Sequence, residues 1–182
     1  MSATGVDEAD AERAVAALLR ALGFDPDSER LRATPRRVAI ALAGLTTAPA
    51  LPTATFQPTE GFTGPLVMRD IPFHALCEHH LLPFRGVVHL GYRPGDRLIG
   101  LSTLARVVEH FSRGLQVQER MTTQLADWLE RELQPRGAVV VLDAEHLCMS
   151  LRDIAVPSTR TVTRELRGDA AELVGLIGRA EA

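Results

Sequence analysis

Leu66-Val67-Met68-Arg69-Asp70-Ile71 reads as a strand, and it delivers the stretch Phe73-His74-Ala75-Leu76-Cys77-Glu78-His79-His80. A distant counterpart, Glu145-His146-Leu147-Cys148, follows the apolar strand Ala138 to Leu142 in the same manner. Together the two pieces hold both cysteines of the chain and four of its six histidines. Thiolate and imidazole are preferred ligands of zinc, and the spacing Cys77-x-x-His80 lets two ligands on one turn reach one ion. Cys148 supplies a third ligand from elsewhere in the fold. Three protein ligands leave one tetrahedral position for water, the layout of a catalytic rather than a structural zinc. His79 and His146 stand beside these ligands and are spare, so each is a candidate for moving protons near neutral pH. A Cys-x-x-His pair alone is common by chance, and a lone cysteine is most often a small buried hydrophobe. A disulfide between the two cysteines calls for an oxidising compartment, and nothing in the sequence suggests export.

Working outward, the chain after Pro65 has an order of two strands, two helices and two strands. Gly86 to Tyr92 is the second strand, Arg93-Pro94-Gly95-Asp96 a turn, and Leu98 to Leu101 a short apolar piece. Ser102 is placed to cap a helix that turns Leu104, Val107, Val108 and Phe111 inward and ends at Gly114. Val117 to Leu133 is the next helix, with Met121, Leu125, Trp128 and Leu129 on its core face. After the break at Gln134-Pro135-Arg136-Gly137 come the strand over Ala138 to Leu142 and another around Arg160 to Arg164. Asp169 then opens a short terminal helix. This order predicts an α+β fold, an antiparallel four-stranded sheet with two helices on one face. Ahead of it, Asp7 to Leu22 reads as an amphipathic helix with Ala11, Val15, Leu18, Leu19 and Leu22 on one stripe. Thr34-Pro35 reads as an N-cap and first helical residue, opening a helix towards Leu45 with Arg36 and Arg37 in its first turn. Thr46 to Gly64 is rich in Thr, Pro and Gly and reads as a linker. The expected division is therefore a helical segment and linker over 1–64 and a catalytic domain over 65–182.

Composition narrows the class. At 182 residues, 46% hydrophobic and 24% charged, the chain is of ordinary single-domain size with a small appendage. A net charge of −3 gives no general attraction to nucleic acid or to an anionic membrane. The acidic N-terminus has no hydrophobic signal core, and no apolar run is long enough to span a bilayer, so the cytoplasm is the expected compartment. There is no lysine, so every basic side chain is arginine.

These residues closely resemble those of type I GTP cyclohydrolases. The matching stretches run in order: Cys77-Glu78-His79-His80-Leu81-Leu82-Pro83-Phe84, Ile99-Gly100-Leu101-Ser102, Leu104-Ala105-Arg106-Val107-Val108-Glu109, Gln116-Val117-Gln118-Glu119-Arg120 and Glu145-His146-Leu147-Cys148-Met149. Thr34-Pro35-x-Arg37-Val38-Ala39 matches the helical N-terminal part. The resemblance implies the tunnelling fold, assembled as a homodecamer with active sites at subunit interfaces. It implies zinc-dependent opening of the GTP imidazole ring at C8, release of formate, and reclosure to 7,8-dihydroneopterin triphosphate on the way to tetrahydrofolate and other pterins. By the same resemblance Cys77, His80 and Cys148 match the zinc ligands, and His146 the histidine that protonates the purine at N7. His79 matches a second proton-transfer residue, and Gln118 with Glu119 the guanine-recognition pair. Ser102, Arg106, Arg152 and, from a neighbouring subunit, Arg37 match positions that hold the triphosphate, for which guanidinium forks are well suited.

The departures from the family pattern cluster on the phosphate side. Thr103 stands where the family usually has a phosphate-contacting lysine, Asp153 where a glycine usually follows Arg152, and Gly114 where arginine is common. Ala155 to Thr159 also departs from the usual basic turn, and the linker before the first strand is short. Two alternatives follow: the same ring opening on another guanine nucleotide in a specialised pathway, or a non-catalytic oligomeric binding protein.

Overall fold

The computed structural model describes residues 5–52, 55–57, 62–151 and 159–178. The chain divides into two compact units, Met1–Thr47 and Ala48–Ala182.

In the first unit, α1 spans Glu8–Ala21 and is capped by Asp7, whose carboxylate accepts from the Asp10 amide. The helix α2 spans Thr34–Thr46. Its N-cap is Ala33 rather than the expected Thr34, because the chain arrives from a turn already near helical dihedrals and Thr34 N–H bonds back to Leu31. The apolar stripe of α1 is only half covered within its unit. Ala11, Val15 and Leu19 are partly buried, while Leu18 and Leu22 stay exposed.

The second unit begins with a two-residue strand, β1 (Thr55–Phe56), inside the stretch expected to be a linker or surface loop. It pairs antiparallel with β4 (Leu98–Ile99). Between them lie β2 (Leu66–Cys77) and β3 (Pro83–Arg93). Then follow α3 (Leu101–Ser112), β5 (Leu115–Gln116), α4 (Gln118–Leu133), β6 (Gly137–His146), α5 (Leu147–Ser150), β7 (Arg160–Gly168) and α6 (Ala171–Ile177). The main sheet has the order β5-β2-β3-β6-β7. Its four long strands are antiparallel, as expected, but the sheet has a fifth member: β5 lies parallel to the end of β2, pairing Leu76 with Leu115 and Cys77 with Gln116. Two residues carry no period from which a strand could be read, so β5 is a product of tertiary pairing.

The strand β2 runs six residues past its expected end at Ile71 because it contains a bulge. Leu66 and Met68 turn towards the core, then the register shifts between Met68 and Ile71, and Ile71, Phe73, Ala75 and Cys77 turn inward instead. Asp70 takes a left-handed φ of 58°, and its amide N–H donates to His89 Nδ1 at 3.2 Å. The inward set packs with Leu104, Val107 and Val108 of α3, with Met121, Leu125, Trp128 and Leu129 of α4, and with the alternate residues Ala138, Val140, Leu142 and Ala144 of β6. Val139 and Val141 of β6 face the other way, onto Leu173 and Ile177 of α6. Two helices thus share one face, and the terminal helix partly covers the opposite one. The N-cap of α3 is Gly100, not Ser102, which lies exposed in the first turn. The helix starts early because β4 ends at Ile99 and the Gly100 carbonyl already accepts from the Thr103 and Leu104 amides.

Candidate metal centre and its surroundings

The end of the sheet where β2 stops collects the chemically active side chains. Cys77 is the last residue of β2, and the following turn is held by its own carbonyl, which accepts from the His80 and Leu81 amides. The Cys77 amide donates to the Leu82 carbonyl, which closes the turn before β3 begins. Leu81 takes a φ of 54°, a left-handed conformation that costs a non-glycine residue about 1–2 kcal/mol, so this turn holds local strain. Cys148 arrives from the far side on α5, directly after β6.

Cys77 Sγ and His80 Nδ1 stand 3.6 Å apart. One ligand atom each from Cys77, His80 and Cys148 lies within 4.8 Å of the others. A tetrahedral zinc with ordinary bond lengths separates a sulfur and a nitrogen ligand by about 3.5–3.6 Å and two sulfur ligands by about 3.8 Å. The donor set and its spacing therefore fit a metal ion with small adjustments. Both sulfurs are buried thiols, not a disulfide, while His80 is exposed on the open side.

His146 ends β6 opposite Phe84 in the register of β3, and the two rings stack with centroids 4.7 Å apart and planes 3° from parallel. Gly86, two residues on, permits the close approach of these strands: a Cβ there would lie 2.0 Å from the Asp143 carbonyl oxygen. His146 Nε2 is 2.7 Å from Gln118 Oε1. Partial burial holds its pKa below the ordinary imidazole value, and the negative charge of Glu119 offsets part of that effect. Glu119 itself is exposed at the start of α4. Gln118 is buried, at 1% exposure, and its amide nitrogen is directed to the Leu142 and Thr161 carbonyls and to Thr163 Oγ1. The side chain expected to face guanine is thus turned into the protein.

His79 is exposed, with Nε2 3.7 Å from Glu78 Oε1. Glu78 in turn receives a hydrogen bond of 2.6 Å from Arg120, whose guanidinium also donates to the Leu115 carbonyl and to Gln116 Oε1. Neither Glu78 nor Arg120 stood out in the sequence as a site residue. Their adjacency to the Cys77 and Gln118 motifs was the available signal, and it is the fold that joins them across 42 positions.

Ser102 and Arg106 are exposed on α3, Thr103 is half-buried there, and Arg106 has no ion pair among the described residues. Arg37 is exposed on α2 of the first unit. Arg152 and Asp153, together with the residues after them through 158, lie outside the described residues.

Sequence comparison places these features in context. The family model described as GTP cyclohydrolase I matches residues 11–173. GTP cyclohydrolase 1 of Streptomyces coelicolor is 48% identical over 174 residues, covering 92% of this chain and 86% of that protein. The protein of the same name from Mycolicibacterium vanbaalenii is 50% identical over 168 residues, covering 89% and 83%. That from Aquifex aeolicus is 44% identical over 163 residues, covering 90% and 89%.

Proposed function

The chain belongs to the GTP cyclohydrolase I family, and from that premise we propose how its residues divide the work of the reaction. The enzyme opens the imidazole ring of GTP hydrolytically at C8, releases formate, and recloses the product to 7,8-dihydroneopterin triphosphate. The observation that carries the assignment of roles is the joint placement of Cys77, His80 and Cys148 at one end of the sheet, with His146 on the adjoining residues of β6.

Cys77, His80 and Cys148 hold zinc. When bound there, zinc lowers the pKa of a coordinated water towards 7 and so provides a nucleophile at neutral pH. His146 supplies the proton to N7 of the purine, which makes C8 electrophilic. A lowered imidazole pKa suits this task, since it makes the ring a stronger proton donor once charged. His79, beside Glu78, serves the second proton transfer on the solvent side. Glu119 accepts from the guanine N1–H and exocyclic amine, the edge for which a carboxylate has matching acceptors. Ser102, Arg106, Arg152 and the neighbouring subunit's counterpart of Arg37 hold the triphosphate.

Assembly completes the site in this reading. Among the described residues, β7 has a partner on one side only, and β2 is paired on its outer side only at Leu76 and Cys77. Open strand edges of this kind favour edge-to-edge pairing of copies, and Val162 and Leu166 of β7 are exposed. We take the assembly to be the homodecamer of the tunnelling fold, with residues 1–64 as helical segment and linker and 65–182 as catalytic domain. Among the described residues, no helix is long and apolar enough to cross a membrane. Reduced thiols at the metal site suit the cytoplasm.

The test is a zinc-loaded assay with GTP that follows formate and the fluorescence of the oxidised pterin together. Both signals are expected. Thr103 favours one rival, ring opening on a nucleotide with fewer phosphates, so the same assay is run with GDP and GMP. A preference for either over GTP would replace the substrate assigned here.

A further inference from the structure

We propose that Gln118 is a positioning residue that acts through His146, fixing the imidazole in the tautomer with the proton on Nε2 and leaving Nδ1 as the nitrogen that exchanges protons with the substrate. The inference rests on the role of His146 stated above and deepens it. Amide oxygen and nitrogen are ordinarily interchangeable in a side chain of this shape, but here the neighbours decide between them. The Leu142 and Thr161 carbonyl oxygens, 3.3 and 2.9 Å from one terminal atom of Gln118, can only accept, so that atom is the NH₂ group. The other terminal atom is therefore the carbonyl oxygen. It lies 2.7 Å from His146 Nε2 and can only accept, so Nε2 must carry hydrogen.

The remaining contacts close into a ring that holds this orientation. Thr122 Oγ1 donates to the Gln118 main-chain carbonyl at 2.8 Å, which uses its one hydrogen. Thr163 Oγ1, 2.6 Å from Thr122 Oγ1, must then be the donor between the two hydroxyls. Its lone pair is left to accept from Gln118 Nε2 at 3.1 Å. Gln118, Thr163 and Thr122 thus form a directed cycle in which reversing the amide would set donors or acceptors against each other at several points. The stacked Phe84 ring fixes the imidazole plane, so tautomer and orientation are both set before a ligand enters. With the Gln118 side chain buried at 1% exposure, it has no face to offer a guanine ring directly.

The two roles differ in kinetics. For zinc-loaded Gln118→Leu, we expect kcat for formate release from GTP to fall about 10–100-fold, the usual cost of losing an orienting partner, with KM changed by less than about two-fold. A raised KM with unchanged kcat, or no change in either, overturns the proposal. Leucine also leaves the Leu142 and Thr161 carbonyls without a donor, so the variant could fail to fold. The decisive reading therefore needs no variant at Gln118: ring-¹⁵N spectra of the zinc-loaded wild-type protein at pH 8, with His146 assigned by its loss in His146→Ala. A protonated Nε2 and a bare Nδ1 are expected, and the reverse pattern overturns the proposal. The spectrum does not depend on turnover. A protein that releases no formate from GTP would sink the assigned function, while the nitrogen pattern would still decide the tautomer.

Discussion

The two proposed ends of the site are built on different terms. Around the proposed metal and purine end, several polar side chains have defined partners: Gln118 in its ring of hydroxyls and carbonyls, His146 between Gln118 and Phe84, Glu78 against Arg120. At the end proposed for the phosphates, Ser102 and Arg106 stand exposed on α3. The difference suits what each end is proposed to do. A proton transfer is sensitive to tenths of an ångström and gains from groups held rigid in advance. A polyanion is held by charge, which acts over several ångströms and tolerates mobile side chains.

If that contrast is real, substitutions at the two ends should fail in different ways. The largest effect is expected for Cys148→Ser, which removes one of three ligands: zinc content by metal analysis and formate release should both be lost. His146→Ala should separate metal from chemistry, keeping the zinc content while kcat falls about 10²–10⁴-fold, the range for a lost acid–base group. A fall in zinc alongside kcat would instead make His146 part of the metal assembly. Arg106→Ala should act mainly on KM, lowering kcat/KM by about 10–100-fold through loss of one charged hydrogen-bonding partner. Its binding should also become less sensitive to added salt, as measured by KM across ionic strength. Thr103→Lys should give the smallest change, tightening KM for GTP by about tenfold or less, since a surface cation adds roughly 1 kcal/mol or less. Equal gains for GTP and GMP would show that position 103 does not sense the phosphate chain.

The grouping of Cys77, His80 and Cys148 into a candidate metal centre was legible because residue type carried it: two free cysteines beside histidines have few other uses together. The helices were legible from their apolar stripes, and Met121, Leu125, Trp128 and Leu129 are all buried as their spacing implied. The resemblance supplied the roles, Gln118 among the guanine-recognition residues, but only the fold shows its side chain bonded to β6, β7 and His146. That pairing spans 28 positions and has no local pattern. The fifth strand was hidden for the same reason, since Leu115 and Gln116 become a strand only when Cys77 is beside them. Ser102 was misplaced as a cap because capping preference is a local rule, and here pairing of Ile99 with Thr55 fixes where the helix can begin.

The extra residue at Asp70 has a consequence beyond local geometry. In a strand, successive side chains alternate between faces, so an odd insertion inverts the sense of everything downstream. Leu66 and Met68 count as even and inward, whereas Phe73, Ala75 and Cys77 count as odd and inward. The bulge, with His89 as its latch, is the parity switch between them. Removing one residue there would leave the strand intact as a ribbon and turn the Cys77 sulfur away from Cys148. The candidate metal centre is therefore assembled by arithmetic performed seven residues upstream of its first donor residue.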